Sequence, residues 1–189
     1  MAGLAPHPFW NFSLEVYGGD GVARACIALQ DRHRADANFL LFCCWLGASG
    51  RGAIAPERLR GLIARVDPWQ RQIVEQLRQV RRKLAAGEGL PDMPAQERRA
   101  LRRRLADAEI EAEHAEQLML AEEWAMPGNR DRPVKERLAQ ALANLSAYAD
   151  AIAVRADRAD REHVATILRA AFPTLLAEEI AHALNLDRA

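Results

Sequence analysis

An all-α fold is what this sequence predicts: a helical bundle carrying a long antiparallel helical hairpin over about residues 68–126. Apolar residues recur at spacings of three and four in almost every segment, the period of an amphipathic helix. No segment alternates apolar and polar residues over a β-branched run, as a half-buried strand would. Glycine and proline clusters punctuate the helical stretches at short intervals.

The first helix follows two prolines, with Phe9, Trp10, Leu14 and Tyr17 on one face, and Gly18-Gly19-Asp20-Gly21 breaks it. Val22, Cys26 and Leu29 mark the second. Asp36 is placed to cap a third, which is apolar all round from Phe39 to Leu46 and therefore reads as the central core helix. Pro56 opens a fourth with Leu59, Leu62, Ile63 and Val66 inward. Asp67-Pro68 reads as a fresh start, Asp as N-cap and Pro at the first helical position. The helix expected there carries Trp69, Ile73, Leu77, Val80 and Leu84.

The longest helix is expected from Ala95 to about Ala125, roughly 45 Å at 1.5 Å per residue. Its seam of Leu101, Leu105, Ala108, Ala112, Ala115 and Met119 has small residues in the middle, which let a partner helix approach. Val134, Leu138, Leu142, Leu145, Tyr148 and Ile152 define the next helix. Asp160 is expected to cap the last, which Pro173 must kink or split. The chain therefore reads as one domain over residues 1–189: an N-terminal scaffold at 8–66, the hairpin at 68–126, and C-terminal helices at 132–187.

Composition excludes several classes. With 50% hydrophobic and 28% charged residues, the chain is too apolar to remain disordered. The longest apolar run, Phe39–Gly47, is far short of the roughly 20 residues that span a bilayer. The start lacks the basic and apolar regions of a signal peptide. The expected setting is the cytoplasm, with no membrane partner. Three cysteines, two of them adjacent, make a poor disulfide framework.

The opening FWNFSLEVYGGDGVARACIALQDRHRADANFLLFCCWLG resembles a family of small proteobacterial proteins with no assigned function. In that family an FW-x-FSL-x-x-Y start precedes a GV-x-x-AC-x-x-LQ helix and a D-x-N-LLLF-x-x-WL helix. Residues Phe9 to Gly47 match closely, and Trp69 to Leu84 more loosely match a W-x-x-x-VV-x-x-LR-x-x-RR-x-L stretch. The resemblance implies an all-helical cytoplasmic protein and supplies no activity or cofactor.

Four constellations are candidates for chemistry. Glu111-x-x-His114 and Glu179-x-x-His182 have the spacing of carboxylate-bridged metal bundles, the basis of an alternative reading as a metalloenzyme. For the single acids such a site also needs, Glu75 and Asp150 are present but neither is compelling, and in the resembling family an arginine is common at the place of His114. Cys43-Cys44, with His33 upstream, lies in a segment too apolar to activate a thiol. The glycine cluster lacks the strand and the lysine of a phosphate loop, so it reads as a turn.

Charge is the most informative. Lysine plus arginine and aspartate plus glutamate both number 26, yet residues 51–104 are strongly basic and 105–128 are acidic throughout. Arg81, Arg82 and Lys83 near the end of one helix, and Arg99, Arg102 and Arg103 near the start of the next, are expected at one hairpin tip. Folding back is not expected to relieve this repulsion; only local pairs such as Arg103 with Asp107 would. The leading expectation is a non-enzymatic adaptor or regulatory protein. It would dock an acidic protein or structured RNA through Arg81, Arg82, Lys83, Arg99, Arg102 and Arg103. Direct RNA or DNA binding is the third alternative; the tip has no aromatic side chain for stacking on bases.

Overall fold

The computed structural model describes residues 6–87, 89–125 and 127–186. Among these no strand occurs, and the fold is all-α. The helices are α1 (Pro8–Tyr17), α2 (Val22–His33), α3 (Ala37–Ala48), α4 (Pro56–Trp69), α5 (Glu75–Ala86), α6 (Ala95–Ala121), α7 (Val134–Ala151), α8 (Arg158–Ala171) and α9 (Ala177–Ala183). No described helix is long and apolar enough to cross a membrane.

α3 is the axis of the core. Every residue from Asn38 to Gly47 is buried, as its all-round apolar sequence requires. Asp36 caps it, the carboxylate accepting from the Asn38 N–H at 2.8 Å. α7 runs antiparallel along it. Phe39 stacks on Tyr148 with 5.2 Å between ring centroids. At the other end Gly47 stands so close to α7 that an added Cβ would lie 2.6 Å from the Ala141 nitrogen. Between them Asn144 is wholly buried and fully used. Its Oδ1 accepts from the Ile54 N–H at 2.8 Å, and its Nδ2 donates to the Gly52 carbonyl at 3.1 Å and the Cys43 carbonyl at 3.4 Å. One amide thus pins the loop after α3 to α7. Gly50, at φ +73°, lets that loop cross the segment around Asn129, whose N–H donates to the Gly50 carbonyl at 3.2 Å. The C-terminal helices share this core: Leu138, Leu145, Leu168, Phe172 and Ile180 belong to the same buried cluster as Phe42 and Trp45.

Two expected helix boundaries differ. The chain does not restart at Asp67-Pro68. α4 runs through Pro68 into a wide turn, Gln70–Val74, in which the Glu75 N–H reaches back to the Gln70 carbonyl, and α5 follows without a break. Proline removes an N–H and crowds the preceding turn, yet the helix continues through it, and a local widening with five-residue bonds follows after Trp69, at Gln70–Val74. Asp67, free of capping duty, accepts from Arg71 at 2.8 Å. At α8 the cap is Asp157 rather than Asp160. The two form a reciprocal capping box, each carboxylate accepting from the other's N–H at 2.9 Å. Asp160 is instead buried and takes Arg32 at 2.5 Å and His33 at 2.9 Å. Pro173 splits the terminal helix, with α8 ending at Ala171 and α9 beginning at Ala177.

α5 and α6 form an antiparallel hairpin leaning on this body. Trp69 fixes its base by donating from Nε1 to the Ala112 carbonyl at 3.0 Å. α6 buries Ala112, His114, Glu116, Gln117, Leu120 and Ala121 in its second half, whereas α5 buries no residue at all.

Candidate functional site

The hairpin divides into a root and a tip. At the root, α5 and α6 meet in a network of charge. Arg78 donates from Nε to Glu109 at 2.9 Å and from an amino group to Glu113 at 2.6 Å. Arg81 donates to both oxygens of Glu109, at 2.5 and 3.2 Å. Burial pushes the Glu109 carboxyl up, but the bonds from Arg81 and Arg78 outweigh it and leave Glu109 below its ordinary value. Glu113 stands the other way: burial raises it, and the single Arg78 contact does not compensate. Folding back therefore relieves the charge imbalance of the long helix, contrary to the sequence-based expectation. Its acidic half accepts the basic residues of α5, because antiparallel pairing sets residue 78 opposite 109 and 113 rather than opposite another arginine.

The tip lies beyond this network. Arg82, Lys83, Arg99, Arg102 and Arg103 are exposed. Among the described residues none of them meets a carboxylate, and Arg103 does not pair with Asp107. Arg98 lies over Gly87 at the C-terminal end of α5, where an added Cβ would come within 2.6 Å of its guanidinium; there the cation faces the negative end of a helix dipole. Of the six expected tip residues, Arg81 is thus drawn into the root and five remain at the tip.

Above the root a cavity of about 340 Å³ opens between α1, α2 and the hairpin. Trp10, Tyr17 and Leu14 of α1 form one wall, Ile110 and Gln117 of α6 another, with the Arg78–Glu109–Glu113 network along the side. Tyr17, on the apolar face of the first helix, is 40% exposed at the cavity's edge. The hairpin stands off from α1 there, so the apolar face of α1 is left only partly covered.

Beneath the cavity lies a second acidic pair. Glu116 is wholly buried, beside the Asp36 carboxyl and the Asn38 amide. Burial, then the neighbouring Asp36 carboxyl, push Glu116 up to about 11. The Asp36–Glu116 pair therefore retains a proton at physiological pH that belongs to the two carboxyls together. Burial also raises Asp36, whose backbone N–H donates to the Tyr148 hydroxyl at 2.8 Å.

The other candidates do not assemble. Glu111 is exposed while His114, three residues on, is buried with its ring edge-on to Trp10 at 4.8 Å. Glu179 accepts from Lys135 at 2.9 Å and from the Leu176 N–H at 3.0 Å, and His182 is exposed on α9. The two Glu-x-x-His motifs do not converge, and among the described residues no group of three or more potential ligands could hold a metal. All three cysteines are buried and free. Burial pushes the Cys26 thiol up to about 12 and raises those of Cys43 and Cys44 too, while His33 turns to Asp160.

Residues 8–120 match the family model described as a protein of unknown function, DUF2390. The chain belongs to that family. The matched span runs from the start of α1 to the last turn of α6, so the root, the tip and the cavity walls all lie within the family's portion. α7, α8 and α9 lie beyond it, although they complete the same core. No curated protein and no solved structure matches the chain.

Sequence reasoning missed Glu109, Glu113, Glu116, Gln117, Asn38 and the acidic role of Asp36. A signal was available. Glu109, Glu113, Glu116 and Leu120 recur at spacings of four, three and four, the period of a buried face rather than of a solvated one.

Proposed function

We propose that this member of the family is a non-enzymatic adaptor or regulatory protein that docks an acidic partner protein through the hairpin tip. One observation carries the reading. Several arginines of the body and root meet carboxylates: Arg58 with Glu123, Arg65 with Glu122, Arg32 with Asp157 and Asp160, Arg78 and Arg81 with Glu109. Among the described residues, the group Arg82, Lys83, Arg99, Arg102 and Arg103, gathered at one tip, meets none. Arg99 also stands near the start of α6, where a cation opposes the helix dipole at a cost of about 0.3–1 kcal/mol at low salt. A tip that served solubility alone could mix its signs. The absence of aromatic side chains there favours a protein surface over single-stranded nucleic acid.

The test is enrichment of bound macromolecules from native extract by wild-type protein and by the Arg99→Glu, Arg102→Glu, Arg103→Glu variant, with and without nuclease. The expected result is a nuclease-resistant partner that the variant loses and that dissociates as salt rises, since exposed charges are screened over about 8 Å at physiological ionic strength. A variant that retains every partner overturns the reading. A partner lost on nuclease treatment replaces it with nucleic-acid binding.

A further inference from the structure

The hairpin has a second long face, turned away from the body. Arg78, Arg81 and Arg82 of α5 and Glu109, Ile110 and Glu113 of α6 line the cavity beside α1 and α2. With 3.6 residues per turn, Val80 and Leu84 then lie on the far side of α5, and Arg104, Ala108 and Glu111 on the far side of α6. That outer face is unfinished. Val80 is 49% exposed, Leu84 and Ala108 are half-buried, and α5 buries no residue although its apolar positions form one stripe. Two helices side by side cover only one edge of such a stripe, and helical bundles close it with a second layer.

The charges on this face are arranged to match themselves. Arg104 and Glu111 are both exposed, and among the described residues neither is paired with an opposite charge. They stand two turns apart on one side of α6, about 10 Å along its axis, with Ala108 between them. A twofold axis crossing α6 midway between the two lays a second α6 antiparallel on the first. Each Arg104 then meets the Glu111 of the other copy, and Ala108, too small to hold the helices apart, lies beside the axis.

α5 fits the same axis. Arg81 is bonded to Glu109 and the two helices run in opposite directions, so the level midway between Arg104 and Glu111 falls beside Arg82. That is also the midpoint of Val80 and Leu84. The axis that matches the charges of α6 therefore sets Val80 of each copy on Leu84 of the other. Lys83 is exposed at the rim of this contact, where its stem carries the charge to water. An isologous dimer needs a patch complementary to itself, and this face is so in its charges and in its apolar pair.

We infer that the outer face of the hairpin binds a second copy of this chain, making a twofold dimer in which Arg104 pairs with Glu111 and Val80 packs on Leu84 across the axis. Arg99, Arg102 and Arg103 take no part in it, so the inference is independent of docking at the tip.

The experiment is sedimentation equilibrium of the full chain from about 5 µM to about 500 µM, because mass action makes a dimer concentration-dependent. The wild type is expected to pass from monomer to dimer, and to need higher concentration as salt rises. Arg104→Glu and Glu111→Arg each set like charges across the axis, and each should weaken association at least about tenfold. Mixed one to one, the two variants should associate about as tightly as wild type, since one brings two acids to the axis and the other two bases. Val80→Lys should abolish association and serves as the second test if a charge variant loses the helical circular dichroism of the wild type. A wild type that stays monomeric throughout overturns the inference. So does a dimer indifferent to Val80→Lys or to the charge variants, and so do two single variants whose mixture remains monomeric.

Discussion

Two antiparallel helix pairs in this molecule are held together by opposite means. α3 and α7 meet through apolar side chains, a glycine that lets the backbones touch, and one asparagine with all its bonding capacity inside the protein. α5 and α6 meet through arginine and glutamate, and α5 contributes no buried residue. Packing of the first kind is dense and intolerant of change. The second kind depends on charge, exposed stems and salt. The pair that forms the core is therefore insulated from solution conditions, whereas the pair that carries the candidate site is open to them.

The sharpest way to break the contrast is Gly47→Ala. The added methyl meets the Ala141 nitrogen and the Arg137 carbonyl, backbone atoms that cannot swing aside. Urea denaturation should show a loss of about 3 kcal/mol, with unfolding still a single transition. Asn144→Ala should follow at about 2 kcal/mol, because the Ile54 N–H and the Gly52 carbonyl lose their partner. Hydrogen exchange should locate the damage at residues 52–54.

Glu109→Ala probes the other pair. It frees Arg78 and Arg81, but Arg81 is part-exposed and can turn to water, so the cost should be about 1–2 kcal/mol and smaller at high salt. Amide exchange should quicken in α5 and leave α3 and α7 protected; uniform acceleration would show that the hairpin and core unfold as one unit.

Glu116 lies where the two regions meet, and it governs the response to pH. Its folded value, about 11, lies above the ordinary 4.5. The native state thus keeps a proton that the unfolded chain releases above about pH 4.5. Stability should be greatest on the acid side of that window and fall as pH rises towards 11, by at most about 1.4 kcal/mol per pH unit. The raised Asp36 acts in the same direction. Glu109, held below its ordinary value, acts oppositely but only as pH falls into the acid range. Between pH 5 and 9, Glu116→Gln should flatten the thermal-melting profile of the wild type, and an unchanged slope would assign it to other groups. The smallest effect belongs to the tip. Arg99→Glu, Arg102→Glu and Arg103→Glu together should leave stability within about 0.5 kcal/mol of wild type or raise it slightly.

Much of the architecture was legible from residues alone. The all-round apolar run at Phe39–Leu46 announces a central helix because only full burial rewards that pattern, and Asp36 announces its cap. Pro173 ends α8 because it cannot donate to the helix ladder. Asp67-Pro68 misled because the same dipeptide can start a helix or sit in one beside a widened turn. The difference lies in whether tertiary packing, here Trp69 bonded to Ala112, holds the helix together across it.

The site was less legible for a related reason. Sequence alone determined that the middle of the chain carries basic residues ahead of acidic ones and that both sit on helices. Only the tertiary structure decided which charges meet. Antiparallel register set Arg78 and Arg81 opposite Glu109 and left Arg99, Arg102 and Arg103 in water. It also buried Glu116 and set it beside Asp36, eighty residues away along the chain, so that the two carboxyls hold on to a proton. A side chain's charge state depends on its distance to others and on the water between them, and neither is written in the order of residues along the chain.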